Sequence, residues 1–190
     1  MDVLEAIKTR RSIGKVKQDA VEKEKIEQIL EAGTWAPNHR HTEPWKFFVM
    51  TGEGRKHLAE AYADIAREEL RDPDSEEAKQ SLRKQYEKAF RAPLVIAVAV
   101  TPNQDPQIVP IEEIGAVNAA IQNMLLAIHA FGLGAVWRTG HPTYHPRMKQ
   151  AFGLQEKDEV LGLLYIGYPD MPVPKSSRAS IADKTVWLDN

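Results

Sequence analysis

Residues 10–12 are Arg-Arg-Ser and residues 36–47 are APNHRHTEPWKF, and these two stretches decide how the chain is interpreted. Two adjacent arginines can meet a phosphate or a carboxylate with paired, charge-assisted hydrogen bonds, and Ser12 adds a neutral donor. The second stretch is a turn rich in polar donors that leads directly into an aromatic strand. An anion clamp, a polar turn and an aromatic surface together suit a flat, aromatic, phosphorylated cofactor.

Outward from these stretches, the apolar spacing predicts helices mixed with strands. Asp2 is the predicted N-cap of a first helix that ends near residues 10–12. Further helices are predicted over about 21–33, 55–71, 75–90, 111–131 and 146–152, and strands over about 45–51, 94–100, 135–137 and 159–166. The continuous apolar run 94–100 indicates a strand buried on both faces. Gly33 is expected to end the second helix, and Asp74 with Glu77 to form a capping box for the fourth.

Length and composition exclude several classes of protein. The 190 residues are most simply one domain, 1–190, in which about 169–190 form an extended tail. A net charge of −2 favours neither nucleic acid nor an anionic membrane surface as a partner. The chain has no cysteine, which excludes disulfides, thiolate nucleophiles, cysteine-ligated zinc and iron–sulfur clusters. No signal peptide and no apolar stretch near ~20 residues is visible, so a cytoplasmic protein outside the membrane is expected.

An ordered set of motifs resembles the nitroreductase-like family of FMN-dependent NAD(P)H oxidoreductases, in particular its shorter members. The resemblance spans roughly the whole chain, and each motif alone is weak. The set comprises residues 10–12 (RRS), 36–39 (APNH), 44–45 (PW), 91–93 (RAP), 132–134 (GLG), 136–140 (VWRTG) and 162–167 (GLLYIG). The resemblance implies an α+β fold with a central, mostly antiparallel sheet flanked by helices, built as an intertwined homodimer with FMN at the subunit interface.

The same resemblance assigns roles to individual residues. It implies that Arg10 meets the FMN phosphate, and that the turn after the second helix lies over a flavin bound mainly by the other subunit. Lys15 is a candidate positive group near the N1–O2 edge of the flavin ring. No side-chain nucleophile or general base is required, so no catalytic residue is predicted. The predicted cofactor-binding residues are Arg10, Arg11, Ser12, Trp35, Pro37, Asn38, His39, Trp137, Arg138, Thr139 and Arg178.

The function implied is reduction of nitroaromatics, quinones or similar small electron acceptors by ping-pong hydride transfer through flavin N5. NADH or NADPH would be the transient hydride donor, because the chain has no G-x-G-x-x-G dinucleotide motif and a nicotinamide would have to share the flavin pocket. Two alternatives use the same scaffold: an FMN-dependent dehydrogenase or desaturase of a specific metabolite, and a non-catalytic FMN storage or sensor protein. The physiological acceptor and the choice between NADH and NADPH stay open.

Simpler alternatives exist for several of these residues. The arginines could be surface charge at a helix end, and Trp137 could be a packed core residue. His39 and His41 would point the same way in an extended segment, so a metal site with Glu43 is a further alternative. The apolar residues 186–188 near the end of the tail either wrap a partner subunit or fold back on their own chain.

Overall fold

Seven helices and four strands run through residues 1–188, the part of the chain that the computed structural model describes. The helices are α1 (Val3–Thr9), α2 (Lys23–Thr34), α3 (Lys56–Glu68), α4 (Glu76–Tyr86), α5 (Pro110–Ala130), α6 (His141–Tyr144) and α7 (Pro146–Ala151). The strands are β1 (Trp45–Thr51), β2 (Leu94–Val100), β3 (Gly134–Arg138) and β4 (Glu159–Gly167). Short 3-10 turns lie at His39–His41, Gly52–Arg55, Glu87–Phe90 and Ile181–Lys184.

The four strands form one antiparallel sheet in the order β1-β2-β4-β3, with helices on both faces. This confirms the predicted α+β fold with a mostly antiparallel sheet. All seven residues of β2 are buried, as the apolar run predicts. One face of β2 packs with Val95 and Ala97 against α3 and α7. The other face packs with Ile96 and Val98 against α2 and α5, so the sheet separates two apolar layers.

β3 is an edge strand, and the chain after α1 runs beside it. Ser12 forms a parallel bridge with Ala135, and the Ile13 N–H donates to the Ala135 carbonyl at 2.8 Å. Gly134 permits this approach, because a Cβ at that position would lie 2.8 Å from the Ile13 side chain. The predicted anion clamp at residues 10–12 is therefore fixed to the start of β3.

Two predicted helix ends are wrong. Ser75, not Asp74, caps α4, and its hydroxyl accepts a hydrogen bond from the Ala78 N–H at 3.2 Å. Gly33 does not end α2 but lies inside it, against α5. A Cβ on Gly33 would lie 3.0 Å from Met124 Cγ, so the glycine serves helix packing rather than helix termination.

Several apolar side chains remain exposed at the two ends of the chain. On α1, Val3, Leu4 and Ile7 are all more than half exposed, and the helix buries only Ala6. The tail residues Val186 and Trp187 are 82% and 80% exposed, so this segment does not fold back on its own chain. Residues 189 and 190 of the predicted tail lie outside the described part. Within that part, none of the helices has both the length and the apolar character required to cross a bilayer.

Candidate active site

The residues after α1 form a cluster of guanidinium groups without counter-ions. The Nε atoms of Arg10 and Arg11 are buried and have no hydrogen-bond partner among the described residues. Burial lowers the pKa of Arg10, and the positive charges of Arg11 and Arg178 act in the same direction. None of the ion pairs in the described chain involves these three arginines. Since buried donors are normally satisfied, this cluster fits an anion supplied from outside the chain.

Ser12 and His129 complete the surroundings of this first cluster. Ser12 follows the two arginines and is exposed, so its hydroxyl is free to donate to the same anion. The His129 imidazole lies on the last turn of α5, and Arg10 and Arg11 line the same cavity of about 260 Å³. Burial and the two arginines lower the pKa of His129. Its Nε2 lies 2.8 Å from Thr9 Oγ1, and this hydroxyl is also within hydrogen-bonding distance of the Glu5 carbonyl. The sequence did not indicate His129, because nothing local to α5 relates it to residue 10.

A second basic cluster lies at the opposite end of β3. Lys88, Arg91 and Arg138 line a cavity of about 410 Å³, together with the main-chain segment 137–139, and no aspartate or glutamate lines it. Burial lowers the pKa of Lys88, and the charges of Arg91 and Arg138 add to that effect. Arg138 Nε is buried without a hydrogen-bond partner in the described chain. This cavity is therefore a second position at which an anionic or electron-rich group is favoured.

The phenol side chains of Tyr62 and Tyr165 line this second cavity. The Tyr62 and Tyr165 hydroxyls lie 3.0 Å apart, and burial is the first cause of the raised pKa of each. The Arg138 guanidinium lies over the Tyr165 ring, with its Cζ 5.4 Å from the ring centroid. Both tyrosines thus remain neutral at physiological pH, and the charge of the cavity comes from its cations alone.

Trp137 performs the packing role that was the simpler alternative. Its indole covers Gly162 on β4, and Nε1–H donates to the Leu161 carbonyl at 3.2 Å. The main chain of the same residue has a different environment. The Ala135 carbonyl points to the outer edge of β3, where it accepts from Ile13 N–H. The main-chain groups of every second residue in a strand point to the same edge, so the N–H and C=O of Trp137 face the outer edge as well. The open strand edge between the two basic clusters therefore offers backbone hydrogen-bonding groups.

The turn after α2, residues 35–43, is separate from both basic cavities of its own chain. Trp35 is 80% exposed, Pro37 and His39 are exposed, and Asn38 is half-buried; none of these four lines either cavity. The structure therefore brings together Arg10, Arg11 and Ser12, with the charge of Arg178 acting on Arg10. It separately brings together Trp137, Arg138 and Thr139, but residues 35–39 join neither group.

The alternative of a metal site at this turn requires residues 39–43 to be extended, and that prediction is wrong. His39–His41 is a 3-10 turn in which Arg40 and His41 have φ values of 55° and 52°. Glu43 also has a positive φ, of 47°. Across residues 1–188, no three His, Asp or Glu side chains are grouped so that they could hold a metal ion. Left-handed backbone at residues other than glycine costs about 1–2 kcal/mol each, so the turn must be held by specific contacts.

The candidate cation Lys15 is already paired. Its Nζ lies 2.7 Å from Asp170 Oδ2, and this hydrogen bond is the first cause of the lowered pKa of Asp170. Lys88 was missed because it is distant in sequence from β3. The only local indication was the motif at residues 91–93, which follows Lys88 at the start of β2.

Sequence comparison agrees with this geometry. The model of the nitroreductase family matches residues 7–168. YdjA of Escherichia coli (strain K12) is 32% identical over 188 residues, which cover 99% of this chain and 98% of YdjA. YfhC of Bacillus subtilis (strain 168) is 32% identical over 179 residues, which cover 94% of this chain and 90% of YfhC. The names of both relatives assign them provisionally to the NAD(P)H nitroreductases.

Comparison of structures gives the same result. A nitroreductase-like family protein from Bacillus cereus superposes with a TM-score of 0.84 at 32% identity, covering 100% of this chain and 97% of the other. A protein from Desulfovibrio desulfuricans, provisionally named a nitroreductase and solved in complex with FMN, gives a TM-score of 0.71 at 28% identity, with 98% and 96% coverage. The fold, the family match over most of the sequence and these relatives confirm the resemblance, and the chain belongs to the nitroreductase family.

Proposed function

We propose that this protein is a homodimeric, FMN-dependent NAD(P)H oxidoreductase that reduces small electron acceptors such as nitroaromatics or quinones. The observation that carries the proposal is the pair of unneutralised guanidinium clusters along β3, with buried Nε donors on Arg10, Arg11 and Arg138. The family match and the FMN bound in the related D. desulfuricans protein support the choice of cofactor.

The residues present fit a phosphorylated flavin. Arg10, Arg11, Ser12 and Arg178 would hold the phosphate, because they offer charged and neutral donors that lack a carboxylate partner. From Ala135 to Arg138 the strand advances about 10 Å, at about 3.3 Å per residue. An elongated ligand at this edge can therefore reach the second cluster, where the segment 137–139 would hold the ring.

When bound, FMN would supply the redox chemistry, which is the transfer of reducing equivalents from NAD(P)H to the acceptor. The chain supplies binding, orientation and charge. Lys88 and Arg138 place fixed positive charge at the ring end of the site, which favours negative charge that develops there during reaction. One cavity serving both donor and acceptor would give ping-pong kinetics, and the same cavity would take NADH or NADPH.

Three exposed features support a homodimer. The apolar face of α1 and the tail residues 186–188 are exposed, and large exposed apolar patches mark interaction surfaces. The turn bearing Trp35, Pro37, Asn38 and His39 does not line the cavities of its own chain. In our proposal this turn covers the flavin of the other subunit, and the tail wraps around that subunit.

Titration of the flavin-free protein with FMN, followed by steady-state kinetics, tests the proposal. We expect saturable binding at one FMN per chain, and parallel double-reciprocal plots when NADPH and a quinone are varied. Stoichiometric FMN binding without turnover of any quinone or nitroaromatic would favour storage or sensing, or a specific metabolite as substrate. Failure to bind FMN would overturn the proposal.

A further inference from the structure

Glu113 is a buried carboxylate that the proposed chemistry does not use. It lies near the beginning of α5 and is 1% exposed. None of the ion pairs within residues 1–188 includes it. A buried carboxylate without a cation is costly unless hydrogen bonds satisfy both of its oxygens, so its partners define its role.

The two oxygens of Glu113 bind two different loops. Oε1 accepts a hydrogen bond from the Thr42 hydroxyl at 2.5 Å, and Thr42 belongs to the turn after α2. Oε2 accepts from the Asn103 N–H at 3.0 Å, and Asn103 belongs to the loop between β2 and α5. A single carboxylate on a long helix therefore ties these two loops together.

The loop that contains Asn103 also contacts the turn directly. The Asn103 side chain accepts from the Asp105 N–H, and the Asp105 side chain accepts from the Gln107 N–H, both at 2.9 Å. Gln107 Oε1 then accepts from Arg40 Nη1 at 2.6 Å. Glu113 thus supports the turn twice, directly through Thr42 and indirectly through the folded loop that meets Arg40.

The turn needs this support because its backbone is unfavourable. Arg40, His41 and Glu43 all have positive φ, which L-residues adopt only when their surroundings impose it. Inside the turn, the Glu43 N–H donates to Asn38 Oδ1 at 3.0 Å. The conformation that sets the orientation of Asn38 and His39 is therefore the one that the Glu113 contacts enforce.

We propose that Glu113 is a positioning residue, which holds the strained turn so that Asn38 and His39 are presented across the subunit interface to the cofactor of the other subunit. The inference rests on the proposed function, because it needs FMN at that interface. It predicts that loss of the Glu113–Thr42 contact weakens the flavin site although neither side chain touches the flavin.

The test compares Thr42→Val and Glu113→Ala with two matched variants. Thr42→Ser keeps the hydroxyl, and Glu112→Ala removes the exposed carboxylate next to Glu113 on the same helix. We expect Thr42→Val and Glu113→Ala to weaken FMN binding roughly tenfold, in line with the loss of a hydrogen bond to a buried charge. They should also change the visible circular dichroism of the bound flavin and speed amide exchange over residues 36–44. Thr42→Ser and Glu112→Ala should behave as the wild type does.

Other outcomes separate this inference from the function on which it rests. A wild type that binds no FMN overturns the proposed function, and the inference with it. A wild type that binds FMN, with Thr42→Val matching it in affinity and flavin dichroism, overturns the inference alone, whether or not exchange in the turn is faster. If Glu113→Ala does not fold, the comparison of Thr42→Val with Thr42→Ser tests the inference, because both variants leave the buried carboxylate in place.

Discussion

Arg10 and Arg138 show how single side chains define this site. Each has a buried Nε–H for which the described chain offers no acceptor, and each lies among like charges. In a folded protein such an arrangement is unfavourable unless a ligand completes it. The motifs around Arg10 and Arg138 were sufficient to predict both as cofactor-binding residues. The contribution of Lys88 could not be predicted, because Lys88 and Arg138 come to line one cavity only in the folded chain.

Replacement of Arg10 tests the phosphate site. Arg10→Ala should weaken FMN binding by about 1.5–3 kcal/mol, or roughly tenfold to hundredfold, because a charge-assisted hydrogen bond is lost. Arg83→Ala is the matched control, since Arg83 on α4 is exposed and pairs with Glu87 in the 3-10 turn that follows. Fluorescence titration with FMN measures both. Equal affinity of Arg10→Ala and the wild type would show that the phosphate is bound elsewhere.

Replacement of Lys88 tests the ring end of the site. Lys88→Met keeps the apolar stem and removes a cation whose pKa is lowered by burial and by two neighbouring arginines. We expect a higher melting temperature of the flavin-free protein at neutral pH, where the unfavourable charge is otherwise present, and a turnover number lower by roughly tenfold or more. Lys84→Met on the exposed face of α4 is the control. Unchanged turnover would exclude Lys88 from the site.

At the level of elements, the apolar period of the sequence predicted every strand and nearly every helix. The buried run of β2 and the long α5 are clear because their patterns extend over many residues. Asp74 and Ser75 are both good N-caps one position apart, so the sequence alone does not decide between them, and the structure has Ser75 as the cap. The short helix α6 spans only His141–Tyr144, too short to show a period. The positive φ values at Arg40 and His41 follow from tertiary contacts that no local pattern reveals.

The pairing of β3 with β4 gives a prediction at this scale. Gly162→Ala should place a Cβ against the Trp137 indole and destabilise the fold by roughly 1–3 kcal/mol through overpacking. Gly54→Ala, where nothing lies within 4 Å of the added carbon, should change stability by only about 0.5 kcal/mol. Urea denaturation of the two variants measures the difference. Equal midpoints would mean that Trp137 does not pack on Gly162.

At the scale of the whole molecule, the family and the antiparallel sheet are established, and the subunit arrangement is a proposal. The sequence indicated the tail through residues 186–188, whose apolar side chains are at least 80% exposed on the single chain. Only assembly with another surface would bury them. The separation of residues 35–39 from the cavities of their own chain, which the sequence could not show, points to the same assembly.

Replacement of Val186, Trp187 and Leu188 by serine tests the proposed assembly. We expect the wild type to sediment as a dimer, and the variant to dissociate at higher concentration and to lose FMN on dilution, because apolar contact area is removed. Sedimentation velocity over a concentration series measures the effect. A variant that stays dimeric at every concentration would show that the tail does not hold the subunits together.

In the proposed function, the two basic clusters along β3 hold a flavin that NAD(P)H reduces. The most direct measurement is the absorption spectrum of the purified protein, reconstituted with FMN, before and after anaerobic addition of NADPH or NADH. We expect flavin absorption bands that bleach with at least one of the two donors. A protein that takes up no FMN, or bound FMN that neither donor bleaches, would contradict the proposed function.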